Sequence, residues 1–180
     1  MKILAICGSP RKGNTETMLR EILRGAKELG AETEMILLKE KNIKHCTGCL
    51  YCDKTKECNI EDDMTEVNRK FEKADVVVIG TPNYFDNLSG LLKDFIDRTN
   101  IFYETGKLKG KKGVAIVVGG SKIGEGSLER CLGNLKNFFE MHEMKVAGTL
   151  VASALHANEI QKNKQKMREC FELGKRLAKL

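Results

Sequence analysis

Residues 76–79, Val-Val-Val-Ile, are apolar on both faces of any strand they form. A half-exposed strand alternates apolar with polar residues, so an unbroken branched run belongs in the middle of a parallel sheet covered on both sides. Parallel neighbours need crossover connections, usually helical, so the chain is restricted to folds in which strands and helices alternate.

The rest of the sequence supplies that alternation. Ile3 to Cys7 is a short apolar run suited to a first strand. Met18, Leu19, Ile22, Leu23, Ala26 and Leu29 then repeat at helical spacing, and Gly30 is placed to cap the helix. Glu34 to Leu38 reads as a second strand. Residues 40–62 are polar, cysteine-rich and aperiodic, which marks an insertion. Asp62 or Asp63 is positioned to cap a helix running through Val67 and Phe71 to Lys73, ahead of the strand within Ala74 to Gly80. Leu88, Leu91, Leu92, Phe95 and Ile96 form the next helical face. Gly113 to Val118 is a fourth strand; Leu128, Cys131, Leu132, Leu135, Phe138 and Phe139 line a fourth helix. Lys145 to Val151 is a fifth strand, before a final helix using Ile160, Met167, Phe171 and Leu177. The pattern predicts an α/β fold, a doubly wound, flavodoxin-like five-stranded parallel sheet in the order 2-1-3-4-5 with helices on both faces. Residues 1–180 are expected to form one domain, with the cysteine-rich insertion after strand 2.

All strand-to-helix loops of a parallel sheet leave from one edge, and the crevice lies where the strand order reverses, between strands 1 and 3. The loop after strand 1 is Gly8-Ser9-Pro10-Arg11-Lys12-Gly13-Asn14-Thr15. Unpaired backbone N–H groups and the positive helix end make such a junction a phosphate site. Gly8 and Gly13 allow close approach of an anion, Ser9, Asn14 and Thr15 offer donors, and Arg11 offers a charged fork. The spacing Gly8-x4-Gly13 mimics a nucleoside-triphosphate loop, but Asn14-Thr15 stand where Lys and Ser or Thr are required, and the dinucleotide pattern G-x-G-x-x-G is absent. A single terminal phosphate, as on flavin mononucleotide (FMN), matches better. After strand 3, Thr81-Pro82-Asn83-Tyr84-Phe85 combines a rigid proline, an amide and two aromatic rings, which suits the flat face and pyrimidine edge of a flavin. The residues 119–126 after strand 4 and the insertion after strand 2 are expected at the same crevice.

The chain has seven cysteines. Cys7, Cys131 and Cys170 fall at apolar-periodic positions, as small core residues do. The other four form Cys46-x2-Cys49-x2-Cys52-x5-Cys58, near the ferredoxin run C-x2-C-x2-C-x3-C-P but with a longer last gap and no proline. Spacing leaves open an iron-sulfur cluster, structural zinc, or free redox-active thiols. His45 adjoins the run as an exposed neighbour, and His142 and His156 read as structural.

Together with Asp62-Asp63-Met64 and Leu92-Lys93-Asp94-Phe95-Ile96-Asp97-Arg98, these motifs resemble the iron-sulfur flavoproteins of archaea and anaerobic bacteria, within the NADPH-dependent FMN reductase group. The resemblance covers nearly the whole chain. It implies that Ser9, Arg11, Gly13, Asn14 and Thr15 hold the FMN phosphate, that Pro82, Asn83, Tyr84, Phe85 and Asn87 contact the ring, and that Gly119, Gly120 and Ser121 close its other side. It also implies a four-iron four-sulfur cluster on Cys46, Cys49, Cys52 and Cys58, and a homodimer or homotetramer.

The expected activity is flavin-dependent electron transfer between a donor such as ferredoxin, the cluster, FMN and a small-molecule acceptor, with no side chain required as general acid or base. One alternative is an NAD(P)H-dependent FMN reductase acting on quinone-type acceptors without a cluster; another is a zinc-stabilised interaction module. The net charge of +6 comes from scattered lysines without interleaved aromatics, so nucleic acid is not an expected partner. No apolar run reaches membrane-span length and the N-terminus has no signal-peptide pattern, so a cytoplasmic protein is expected.

Overall fold

The computed structural model describes residues 1–180. Five parallel strands form its centre: β1 Lys2–Cys7, β2 Glu32–Leu37, β3 Val76–Pro82, β4 Lys112–Gly119 and β5 Lys145–Ser153. They are ordered β2-β1-β3-β4-β5, as the alternation predicts, and each boundary falls within two residues of the one read from sequence. Val76, Val77, Val78 and Ile79 are all fully buried. Their side chains divide between two cores because successive residues point to opposite faces.

Val76 and Val78 join Ile3, Ala5, Val114 and Ile116 beneath α1 (Asn14–Glu28) and α7 (Lys164–Leu177). Val77 and Ile79 join Leu4, Ile6, Ala115 and Val117 beneath α3 (Met64–Lys73), α4 (Gly90–Asp97) and α6 (Ser127–Met141). On the first face the two helices meet backbone to backbone: a Cβ at Gly25 would collide with the Phe171 carbonyl, and one at Gly174 with that of Ile22. The α1 helix ends as expected at Gly30, whose φ is 82°. The Gly30 N–H donates to Lys27 O at 3.0 Å and the Ala31 N–H to Ala26 O at 3.2 Å, closing a Schellman motif.

Two regions depart from simple alternation. The helix read through Ile96 stops at Asp97, and a short α5 (Asn100–Thr105) follows, with Thr99 Oγ1 donating to Ile96 O at 2.7 Å in the break. A 3-10 turn at Leu38–Glu40 leads into the insertion, which contains one short helix, α2 (Tyr51–Thr55). None of the α2 residues is buried. Asp63 occupies the position preceding α3, yet Asp62 makes the capping bond, accepting from the Met64 N–H at 2.9 Å. No helix is long and apolar enough to cross a membrane.

Candidate functional site

At the edge where β1, β3, β4 and β5 end, one cleft is lined by Ser9, Arg11, Asn14, Thr15, Pro82, Asn83, Tyr84, Val118, Gly119, Ala154 and Leu155. Eight of these are residues the sequence singles out. Gly13, Phe85, Asn87, Gly120 and Ser121 belong to the same loops but are not among the lining residues. The wall made by Ala154 and Leu155 was missed, although the parallel-edge rule applies to the loop after β5 as well.

The roles inside the first loop differ from a simple row of donors. Ser9 Oγ donates to Arg11 O at 2.8 Å and lies 3.4 Å from the Arg11 N–H, so this hydroxyl pins its own turn. Asn14 Nδ2 donates to His156 O at 2.8 Å and Ala154 O at 3.4 Å, while Asn14 Oδ1 accepts from the Ile160 N–H at 3.1 Å. Arg11 Nη2 reaches Leu155 O at 3.0 Å. The Ser9 and Asn14 side chains therefore build the loop and its wall. Gly8 also has a packing reason: its Cβ would fall 2.7 Å from Leu92 Cβ. At Gly13 the added Cβ would meet nothing closer than Arg11 at 3.8 Å, so space beside it is open.

What remains for an anion is the backbone. Ser89 caps α4 and Asn163 caps α7, whereas α1, like α6, starts after a glycine without a side-chain cap. Asn14, Thr15 and Glu16 in that first turn are buried. Helix-start N–H groups have no intrahelical acceptor, so a buried and uncapped start favours an anionic partner. Burial alone would raise the Glu16 pKa, but hydrogen bonds from Arg20 at 2.7 Å and Lys39 at 3.2 Å outweigh it and hold the carboxyl below its ordinary range.

The loop after β3 turns tightly. Tyr84 and Asn87 exchange backbone hydrogen bonds of 2.9 and 3.0 Å around Phe85 and Asp86, whose φ values are 51° and 64°. This is the backbone of a type I′ turn made without glycine. It presents the Phe85 ring wholly to solvent and leaves Tyr84 partly exposed, so neither ring caps the core. Asn87 Oδ1 accepts from the Leu88 N–H at 2.8 Å and Asn134 Nδ2 at 3.1 Å, a structural duty. Asn83 Nδ2 donates to Ser127 Oγ at 2.8 Å, while its Oδ1 is buried without a partner. An uncapped buried helix start and an orphaned acceptor beside one cleft fit a ligand that is anionic at one end and carries an N–H at the other, as FMN does.

The cysteine loop leaves the same sheet edge but packs over α4 and α5, and none of its four cysteines lines the cleft. This corrects the expectation that the insertion joins the crevice. Arg98, 1% exposed, is its clasp. Arg98 Nη1 donates to Asp62 Oδ2 at 2.6 Å and Lys44 O at 2.8 Å; Nη2 donates to Asp62 Oδ1 at 3.1 Å and Ile60 O at 3.3 Å. Burial would lower the Arg98 pKa, but the Asp62 bond and the nearby Cys58 raise it. Asn100 Nδ2 reaches Cys52 Sγ at 3.4 Å, and exposed His45 pairs with Asp94 at 2.6 Å. His142 is buried and structural, its pKa lowered by burial. All seven cysteines are free, and no three His, Cys, Asp or Glu side chains gather to hold a single metal ion. In kind, four thiols on one loop with N–H donors beside them match the donor set of an iron-sulfur centre.

The sheet order, its switch point and the cleft at the carboxyl edge of the strands define a flavodoxin-like α/β protein. The family model for NADPH-dependent FMN reductase matches residues 1–159, and the chain belongs to that family of flavin-dependent oxidoreductases. It is 39% identical over 149 residues to an iron-sulfur flavoprotein of Methanocaldococcus jannaschii, covering 82% of this chain and 76% of that protein. It is 33% identical over 179 residues to one of Archaeoglobus fulgidus, covering 99% and 79%. Among solved structures, a flavone reductase superposes with a TM-score of 0.77 at 28% identity, over 99% of this chain but only 62% of that one. An FMN-dependent NADH-azoreductase from Bacillus anthracis in complex with FMN gives 0.76 at 20% identity, covering 99% and 100%, a likeness of fold.

Proposed function

We propose that FMN binds with its phosphate on the uncapped first turn of α1 and its ring between the Pro82–Asn87 and Gly119–Ser121 segments, and that Cys46, Cys49, Cys52 and Cys58 carry a four-iron four-sulfur cluster. The observation that carries the flavin site is the buried α1 start, open to an anion within the cleft. Arg11 and the backbone N–H groups of residues 13–15 bind the phosphate, Asn14 fixes the wall beside it, and Pro82, Asn83 and Tyr84 face the ring. When bound, FMN supplies two-electron chemistry and the cluster one-electron transfer. Arg98 and Asp62 hold the ends of the cysteine loop in register for its ligands. The donor is a ferredoxin-like protein or NAD(P)H, and the acceptor a small molecule. The names of the Methanocaldococcus and Archaeoglobus relatives support the cluster.

A reductase without a cluster is the second reading, favoured by the absence of converging metal ligands. Membership of an oxidoreductase family removes the ground for an interaction module. We place the protein in the cytoplasm as a homodimer or homotetramer, in which exposed Tyr84, Phe85 and Leu155 give a second copy an apolar surface.

Anaerobic purification followed by flavin, iron and sulfide analysis tests both centres. Stoichiometric FMN with iron and sulfide is expected, and Cys49→Ser should lose iron and keep FMN. Flavin without iron or sulfide from the wild type would establish the second reading, and failure of the full-length protein to take up FMN would overturn the flavin site.

A further inference from the structure

Asn83 presents an amide whose two ends are not interchangeable. Its Nδ2 donates to Ser127 Oγ at 2.8 Å, Ser127 Oγ donates to Asp86 Oδ1 at 2.5 Å, and Asp86 Oδ2 accepts from Arg130 at 2.6 and 2.8 Å. The direction of this chain is set at Asp86. An ionised carboxylate has no proton to give, and hydrogen bonds from Ser127 and Arg130 hold this one below the usual carboxylate range. The single hydroxyl proton of Ser127 therefore points at Asp86, which leaves only lone pairs for Asn83. Only the NH2 end of the amide can meet them, so Oδ1 is left over, buried and unpaired. Such an acceptor is destabilising until a donor arrives.

We propose that Ser127 and Asp86 are positioning residues that lock Asn83 as an acceptor, so that the cleft selects a ring with an N–H at that edge. This rests on the flavin reading above. In the oxidised isoalloxazine ring the only N–H is the imide at N3, and the remaining polar edge atoms accept. Asp86 sits at φ 64° in the turn closed by the Tyr84–Asn87 backbone bonds, and from there its carboxylate meets both Ser127 and Arg130.

A competition experiment reads this directly. The full-length protein is incubated with an equimolar excess of FMN and N3-methyl-FMN, gel-filtered, and the bound flavins are quantified by mass spectrometry. The wild type should retain FMN over N3-methyl-FMN by about tenfold or more, the ratio that loss of one buried hydrogen bond produces. Ser127→Ala frees the amide to rotate, but a free amide can still turn its oxygen to N3–H, so this variant should lower the ratio by no more than about twofold. Asp86→Asn reverses the chain: its NH2 donates to Ser127, the hydroxyl turns to Asn83 Oδ1, and the cleft then meets an amide NH2, so the preference should vanish. Equal retention of the two flavins by the wild type, or undiminished preference in Asp86→Asn, overturns the proposal while leaving the flavin site standing. Retention of neither flavin by the wild type overturns both.

Discussion

The same side chain behaves in opposite ways in two regions of this molecule. Cys7, Cys131 and Cys170 lie in the packed layers against the sheet, no more than 1% exposed, and burial pushes their thiols up to about 11, 12 and 12. Cys49, on the loop, accepts hydrogen bonds from the Tyr51 N–H and from Thr47, which draw its thiol below the ordinary value. Packed against β-branched side chains, a cysteine is a small apolar residue. On a loop with hardly any core of its own, it is available chemistry. The difference extends to what holds each region: the layers are stabilised by apolar area spread over some forty buried hydrophobic residues, whereas the loop depends on Asp62 and Arg98.

The largest effect is expected where that dependence is cut. Arg98→Met leaves the Asp62 carboxylate buried and unpaired and frees the Lys44 and Ile60 carbonyls. Breaking one partner of a buried pair costs about 3–5 kcal/mol. Urea denaturation should show the loss, and limited proteolysis should cut within 44–60 first. The double variant Asp62→Leu with Arg98→Met should recover the part due to the stranded carboxylate but not the bonds to the Lys44 and Met64 N–H groups and the Lys44 and Ile60 carbonyls; if it is no more stable than Arg98→Met alone, the stranded charge is not the cost.

Acid should act on the same clasp. Burial raises the Asp62 pKa, but bonds from Arg98 and the Lys44 and Met64 N–H groups prevail and lower it. A carboxylate depressed in the folded state contributes stability that is complete above its unfolded value, near 3.9, and is lost as pH falls through the folded one. Protection factors across residues 44–60, exchange rates taken relative to the unstructured chain at the same pH, should therefore fall only below about pH 4. In Asp62→Asn they should be low at every pH.

Reactivity compares the two sets of thiols side by side. In iron-free native protein, iodoacetamide should label Cys46, Cys49, Cys52 and Cys58 and spare Cys7, Cys131 and Cys170 until denaturant is added. Thiols at about 11 and 12 rather than 9 have about a hundredfold to a thousandfold less thiolate, before access is counted. Labelling of Cys131 or Cys170 at loop rates would dissolve the distinction.

How much of this was legible in sequence follows from the range of each interaction. The double-sided Val76–Ile79 run and the helical periodicities are local, and they led to the sheet order and to the loops around the cleft. The orientation of side chains within those loops was not legible. Asn14 bonds to a carbonyl 142 residues away, and Arg98 to a carboxylate 36 residues away, so neither partnership leaves a periodic trace. Donor-rich composition singled out the loop after β1, which does line the cleft at the carboxyl edge of the sheet, yet Ser9 and Asn14 face the fold. The break between α4 and α5, which brings Arg98 to Asp62 and Asn100 to Cys52, has no proline or glycine to announce it.

The smallest expected effect separates strain kept for the cleft from strain on the cysteine loop. Phe85 at φ 51° and Lys56 at φ 62° both hold left-handed backbone without being glycine. Left-handed geometry costs an L-residue about 1–2 kcal/mol, and added freedom of glycine in the unfolded chain returns about 0.4–1 kcal/mol of that. Replacement by glycine should then stabilise either site by about 0.5–1 kcal/mol, measured as a higher urea midpoint. The outcomes should part on flavin: Lys56→Gly keeps FMN affinity, while Phe85→Gly weakens it if the proposed contact of this exposed ring with the flavin holds. Equal FMN affinity in Phe85→Gly and wild type would mean that the turn serves only to place Asp86 against Ser127, and would move the aromatic contact with the ring to Tyr84.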